Sequence, residues 1–453
     1  MASIAALGVG SGLDLNGLLS QLESAERQRL QPLAQQKASY QARISAYGKL
    51  EGALAQFQTA LSSLGKAETF AAVKSNVTGD AVTAAANSSA VPGSYNVSVT
   101  SLAKSYSVAA LGLDDKARDL GAGSVDFTLA NGTAHSVAID ADASSLEDVR
   151  DAINNAQTDV VASIVNDGDP ANPYRLVLNA AKTGTDAGVQ SLTFNGMGGE
   201  LNKDAATEQL AANAQFSVNG LTMQSASNQV DEAIAGLTLN LAKENETAVI
   251  TVTRDNAAIE KSVNDFVKAY NSLNSTVRDL GDYNPETQVG GRLLGDSSLR
   301  MVQSELRSMF SETVVEGSAF TFLSDIGISR ELDGSLKVDS EQLKTVTADQ
   351  LQDLQSFFAG SDGNEGFSAQ SKGVIDRLLD ENGLIATSTE GMKSAITRID
   401  ERIEREEVAI ARTVDRYRTQ FAKLDSMIAN MNSTSAYLTQ QFDVMNAQLG
   451  RKQ

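Results

Sequence analysis

Few side chains in this sequence could do covalent chemistry. There is one histidine, His135, and no cysteine. A thiol nucleophile, a disulfide, a zinc–thiolate centre and a multi-histidine metal site are therefore excluded. His135 lies between a turn and a strand with no second histidine nearby, and it reads as an ordinary surface or edge residue. The loop Asn166-Asp167-Gly168-Asp169-Pro170 offers oxygen ligands of the kind calcium takes, but their spacing is not that of an EF-hand, so a solvated turn is the plainer reading. Asp114 with Asp115, and Asp140 with Asp142, are acid pairs of the type that hydrolyses glycosides when the fold sets their separation. The chain has no tryptophan to stack sugars, which weakens that reading. No GxSxG elbow, P-loop or dinucleotide fingerprint is present. The run Leu7-Gly8-Val9-Gly10-Ser11-Gly12 imitates a phosphate loop, yet no strand precedes it and flexibility explains it better. No catalytic residue, cofactor or metal is expected, and the protein is not expected to be an enzyme.

The 453 residues, 42% of them hydrophobic, suffice for about three domains. With 57 acidic against 37 basic side chains the net charge is −20, which repels nucleic acid and anionic lipid. The first residues, MASIAALGVGSGLDL, lack the basic start and apolar core of a secretory signal, and no run of about 18 apolar residues suggests a membrane span. The expectation is a protein that stays in the cytosol or leaves by a route without a cleavable signal.

The elements are where the sequence speaks. Stepping by seven from Ile396 meets Ile403, Ile410, Tyr417, Leu424, Met431, Leu438 and Met445. The second heptad position is Asp400 and Glu407 at first, and then Val414, Phe421, Ile428, Ser435, Phe442 and Leu449. Such a period imposes a long helix, from about Met392 to Leu449, that must bury its stripe on another helix. Asp14 is a helix N-cap, and Leu15, Leu18, Leu19 and Leu22 form a stripe behind it. Pro32 marks a kink or join, after which the stripe resumes from Leu33 to Leu64. The two ends are expected to pair antiparallel, with everything between as an insertion. Leu438, Phe442, Met445 and Leu449 can be covered only by the N-terminal residues or by another molecule. The expected contact residues are therefore Leu15, Leu18, Leu19, Leu22, Phe421, Ile428, Leu438, Phe442, Met445 and Leu449.

Between the ends the texture alternates with a period of two. Strands are expected through Tyr95–Val99, Val125–Leu129, Val137–Ile139, Val160–Val165, Tyr174–Leu178, Leu192–Phe194, Leu237–Leu241 and Ile250–Val252. Asn131-Gly132 signals a turn, and Ser145-x-x-Asp148 a capping box for one short helix. The stretch Gly196 to Asn213 looks like a domain boundary. Helical period returns at Ile259, Val263, Phe266, Tyr270, Leu273, Val277 and Leu280, then over Ser297 to Phe310 and Val374 to Leu379, with Gly383 expected as a C-terminal cap. Asp333-Gly334 reads as a hairpin-like turn. The fold class is α+β, elongated and multidomain: the terminal helices pair as a coiled-coil leg and helical bundle, and two β-rich domains are inserted in sequence. The boundaries are 1–40 with 415–453 for the leg, 41–70 with 256–414 for the helical domain, 71–107 with 214–255 for a β-rich plate, and 108–213 for a β-rich head.

Several motifs fit one family. Gly10-Ser11-Gly12-Leu13-Asp14-Leu15-Asn16-Gly17-Leu18, followed by Ile44-Ser45-Ala46-Tyr47-Gly48, resembles the N-terminal signature of the bacterial flagellar filament-capping proteins, the hook-associated protein 2 family. Tyr174-Arg175-Leu176-Val177-Leu178 and Lys182-Thr183-Gly184-Thr185-Asp186 resemble a module shared with flagellins. Phe266 to Asn271, Tyr283 to Thr287, Leu294 to Arg300 and Ser433 to Leu438 resemble the family's C-terminal half. The resemblance implies a homo-oligomeric ring at the tip of the filament that folds and inserts exported flagellin without covalent chemistry, its legs docked on flagellin. It also implies type III export, an extracellular location, contact with the hook-filament junction protein, and a cytosolic export chaperone on the C-terminal helix. The alternative is a surface adhesin binding host glycans or mucin through the β-rich plate, and a carbohydrate-active enzyme is the third reading.

Overall fold

The computed structural model describes residues 7–9, 11–156, 158–285, 288–312, 319–361, 363–448 and 450. Gly10, Glu286, Thr287 and the expected contact residue Leu449 lie outside the described residues. Helix α1 (Leu15–Arg27) starts where the Asp14 carboxylate accepts from the Gly17 N–H at 2.8 Å, satisfying one of the free amides of the first turn. A 3-10 turn over Gln28–Leu30 joins it to α2 (Gln31–Leu64). Pro32 falls in the first turn of α2, where a missing N–H costs nothing, so the expected join is present.

After α3 (Ala67–Phe70) come β1 (Val73–Thr78), β2 (Val82–Ala86), β3 (Gly93–Ser101) and β4 (Ser105–Ala109). Strands β5 (Gly123–Leu129) and β6 (Ala134–Ile139) form a hairpin whose turn places Gly132 at φ 87°, a left-handed conformation glycine adopts without strain. Helix α4 (Leu146–Asn155) opens with the Ser145/Asp148 capping box. It is followed by β7 (Val160–Asn166), β8 (Tyr174–Thr183), β9 (Val189–Gly196), β10 (Ala214–Val218), β11 (Leu221–Ser225), β12 (Gln229–Ile234), β13 (Leu237–Leu241) and β14 (Glu246–Arg254). Then come α5 (Asn256–Gly281), the hairpin β15 (Tyr283–Asn284) with β16 (Val289–Gly290), and α6 (Ser297–Glu312). The hairpin β17 (Ile328–Arg330) with β18 (Leu336–Val338) turns at Gly334. Last are α7 (Ser340–Asp349), α8 (Leu351–Ala359), the hairpin β19 (Gly360–Ser361) with β20 (Asn364–Glu365), α9 (Phe367–Leu379) and α10 (Leu384–Gln448). Gly383 does not cap α9: that helix ends at Asp380 in extended conformation, and the Gly383 carbonyl instead accepts from Thr387 N in the first turn of α10.

The chain divides into two compact units, Met1–Gly65 with Val263–Leu343 and Asp353–Gln453, and Lys66–Ser262 with Lys344–Gln352. The second unit has two cores. In one, the sheets β1-β14-β3-β10-β11 and β12-β13-β2 contribute Val97, Val99, Ile250, Phe216, Leu239 and Leu241 to one buried cluster, so they pack face to face. In the other, sheets β4-β8-β7 and β6-β5-β9 enclose Tyr106, Phe127, Leu176 and Leu178 beneath Leu146, Val149 and Ile153 of α4. The stretch after Gly196, expected as a boundary, buries Met197 and Leu201 in this second core and runs along β4, with bridges Lys203 to Ala110, Gln209 to Ser107 and Ala212 to Lys104.

Strand β7 is the edge of its sheet and carries uncharged β-branched residues, the kind of edge that pairs with other chains. Asn154, on the last turn of α4, occupies that edge: its Nδ2 donates to Ala162 O and its Oδ1 accepts from Ala162 N, each at 2.9 Å. Asn154→Ala leaves two groups of a buried residue without partners and should cost about 1–3 kcal/mol. Thermal melting should show a lowered midpoint for the β-rich unit, and an unchanged midpoint would refute the edge-plug reading.

Candidate interaction site

The N-terminal segment runs antiparallel to α10 with constant register. Ser11 N and Oγ donate to Asp425 Oδ1 at 2.7 and 2.5 Å. Leu19 is buried with Ile410 and Val414, and Leu30, Tyr417 and Phe421 close round them. Lys37 Nζ meets Asp400 Oδ1 at 2.6 Å. Asp400 breaks the apolar seam of the heptads because its partner helix supplies a lysine there. Asp425 is buried, and a buried carboxylate is tolerated only when hydrogen-bonded. The glycine-rich run that imitates a phosphate loop thus delivers Ser11 to a carboxylate.

Asp425 holds the far end of the pairing, and Ile428 and Ala429 just past it are still half-buried. Leu15 and Leu19 are buried, Leu22, Phe421 and Ile428 are half-buried, and Leu18 turns away from the seam at 48% exposed. Leu438, Phe442 and Met445 are 48%, 57% and 46% exposed, and every residue from 430 to 447 is exposed. The structure therefore brings Leu15, Leu19 and Phe421 into the paired region and leaves the last three apolar residues on a bare helix. An isolated helix of that length is marginal in water, and its stripe calls for a partner. The whole of α10, 65 residues, spans roughly 95 Å.

A second residue that holds this region is Asp296, which the heptad reading missed although it directly precedes a helix and so carries a cap signature. Its Oδ1 accepts from Tyr47 OH at 2.6 Å, Ser298 N at 2.9 Å and Leu299 N at 3.2 Å, and its Oδ2 from Arg43 Nη2 at 2.7 Å. Ser298 Oγ lies 2.8 Å from Ser388 Oγ. The start of α6 is thereby tied to α2 and to α10. Burial alone would raise the Asp296 pKa, but the bonds from Tyr47, Leu299, Arg43 and Ser298 outweigh it and hold the carboxyl below its ordinary value. The Tyr47 phenol is pushed up by burial and by the same carboxylate. Asp296→Ala removes a cap and the carboxylate partner of the buried Tyr47 hydroxyl, and should cost about 2–4 kcal/mol. The Asp296 contribution is complete above the ordinary value of 3.8 and is lost as pH falls through the lower folded value. Acid titration of stability should show this loss in the parent chain and not in the variant; equal acid sensitivity in both would contradict it.

The candidate chemistry dissolves into structure. His135 pairs across the hairpin with Phe127, ring centroids 5.1 Å apart. In the Asn166–Pro170 loop, Asn166 and Asp169 accept backbone amides and Asp167 Oδ2 meets Arg175 Nε at 2.5 Å. Asp114 faces Arg118, Asp115 accepts from Ala117 N, and Asp140 bridges to Ala143. A polar cleft of about 750 Å³ beside β15 and β16 gathers Asp279, Asp282 and Asp333. There the Asp333 carboxyl is held down first by Ser335, and then by Arg278, so it has no proton to donate near neutral pH. Among the described residues no three metal-ligating side chains cluster, and no helix is long and apolar enough to cross a membrane.

Residues 11–106 match the family description "Flagellar hook-associated protein 2 N-terminus", 211–433 match "Flagellar hook-associated protein 2 C-terminus", and 124–182 match "Flagellin hook IN motif". The chain is 34% identical over 465 residues to flagellar hook-associated protein 2 of Escherichia coli K12, covering 98% of this chain and 99% of the relative. It is 33% identical over 474 residues to that of Salmonella typhimurium, covering 98% and 100%. Among solved structures, the D1-D2-D3 domains of the flagellar cap protein FliD from Escherichia coli superpose with a TM-score of 0.64 at 31% identity, covering 77% of this chain and 99% of that one. Sequence likeness along nearly the whole chain and a shared fold lead to one conclusion: this chain belongs to the flagellar hook-associated protein 2 family.

Proposed function

We propose that the chain caps the distal end of a bacterial flagellar filament as a homo-oligomeric ring and promotes the folding and insertion of exported flagellin there. The observation that carries this reading is the apolar stripe of α10 over residues 430–447, which the described residues leave exposed and an assembled tip would cover. Relatives named for the hook-associated protein, and a solved neighbour described as a flagellar cap protein, supply the setting. In that setting the partners are other copies of the chain, flagellin and the hook-filament junction protein, and the stripe is held by a cytosolic chaperone before type III export. No covalent step is needed: the work is done by burying apolar surface on incoming flagellin and releasing it once folded. The test is complementation of a strain lacking its own cap protein. Restored filaments with little monomeric flagellin in the medium are expected; continued spillage with this chain present at the filament tip would overturn the reading.

A further inference from the structure

The middle of α10 carries a buried seam, an acidic flank beside it and a separate basic face. One is the seam of Ile399, Ile410 and Val414. About a third of a turn away, at 3.6 residues per turn, lie Arg398, Arg402, Arg405, Arg412 and Arg416, all exposed. On the other flank of the seam lie Asp400 and Glu407, which share the heptad position of Val414, and beyond them Glu404 and Asp415, with Arg418 in their midst, all of them exposed.

The basic face is largely unspent within the chain. Arg405 reaches only Glu401 of its own helix, at 3.8 Å. Among the described residues Arg398, Arg402, Arg412 and Arg416 make no ion pair, and Arg416 lies beside the neighbouring Tyr417 ring, 5.7 Å from its centre. On the acidic face Asp400 holds Lys37 and Asp415 holds Arg418, while Glu404 and Glu407 are free among the described residues. A row of arginines exposed in a chain of net charge −20 is not a general solubility device, and that net charge disfavours a polyanion as its partner.

We infer that the arginine face of α10 docks on the acidic face of α10 in a neighbouring copy of this chain, helices parallel, and that this contact sets the order of copies in the ring. The inference rests on the ring reading proposed above. An antiparallel two-fold contact between arginine faces would set like charges together. A parallel contact between unlike faces leaves each copy one free face of each sign, so the next copy adds in the same way until the ring closes. Each exposed pair is weak alone, but a row of them fixes register and excludes wrong partners, as flanking charges do in coiled coils.

The test uses the full chain and three preparations: the parent, an arginine variant (Arg402→Glu, Arg405→Glu, Arg412→Glu) and an acid variant (Glu404→Lys, Glu407→Lys, Asp415→Lys). All six positions are exposed, and circular dichroism should show parental helix content in both variants. Light scattering is expected to give an oligomeric mass for the parent and the monomer mass for each variant alone. An equimolar mixture should again exceed the monomer mass, because an all-acidic copy now meets an all-basic one at each contact. A monomeric parent would overturn the ring reading itself. An oligomeric parent whose arginine variant also assembles, or a mixture that stays monomeric, would overturn this inference and leave the ring reading standing.

Discussion

Deleting residues 430–453 is expected to leave the fold intact and abolish filament capping. Residues 430–447 cover nothing in the described chain, so their removal should change the unfolding free energy by no more than about 0.5 kcal/mol. The paired region, from the Ser11–Asp425 bonds back to the Lys37–Asp400 ion pair, stays whole. Cells carrying the truncation should nonetheless swim no better than cells without a cap and should shed flagellin. Motility and flagellin in the culture medium read the outcome, and normal filaments with the truncated chain would show that the bare stripe has no role in assembly.

The second large effect is on stability. Phe266 on α5 has no solvent exposure and sits among Phe57, Phe367 and Phe358 with ring centroids 5.6, 6.0 and 6.1 Å away. Phe266→Ala opens a cavity where three rings meet and should cost the helical unit about 3–5 kcal/mol. The two β cores contain none of these rings. Hydrogen exchange should therefore show faster opening in α2, α9 and the Phe266 end of α5, with protection in β5 and β14 kept. Unchanged protection in α2 would contradict this account of the core.

Much of this was legible in the sequence because burial and periodicity coincide. Ile259, Val263, Phe266, Tyr270, Leu273, Val277 and Leu280 step along one face of α5, and all are buried there. The caps at Asp14 and Ser145 read correctly because a side chain three residues from an amide is local chemistry. What sequence reasoning missed is set by distant partners. Strand β2 reads Val-Thr-Ala-Ala-Ala, a poor strand by propensity, and is held by its pairing with Leu237–Leu241. The α7 and α8 helices are short, and the sequence reading passed over them between the Asp333-Gly334 turn and the helix at Val374. Gly383 looked like a cap because glycine often ends helices, yet close packing under Arg377 O and Asp380 O explains its small size. Leu18 belongs to the heptad-like stripe by spacing but points to solvent, since the partner helix covers only one side of α1.

The distal stripe of α10 is open among the described residues, and the capping role proposed above requires it to be covered in the assembly. The absence of cysteine makes this directly measurable, because Met445→Cys introduces the chain's one thiol at a position now 46% exposed. Maleimide labelling of the isolated chain should be fast, and labelling of the same chain on capped filaments should slow by tenfold or more, roughly 1.4 kcal/mol of protection. Equal labelling rates in the two states would contradict the account.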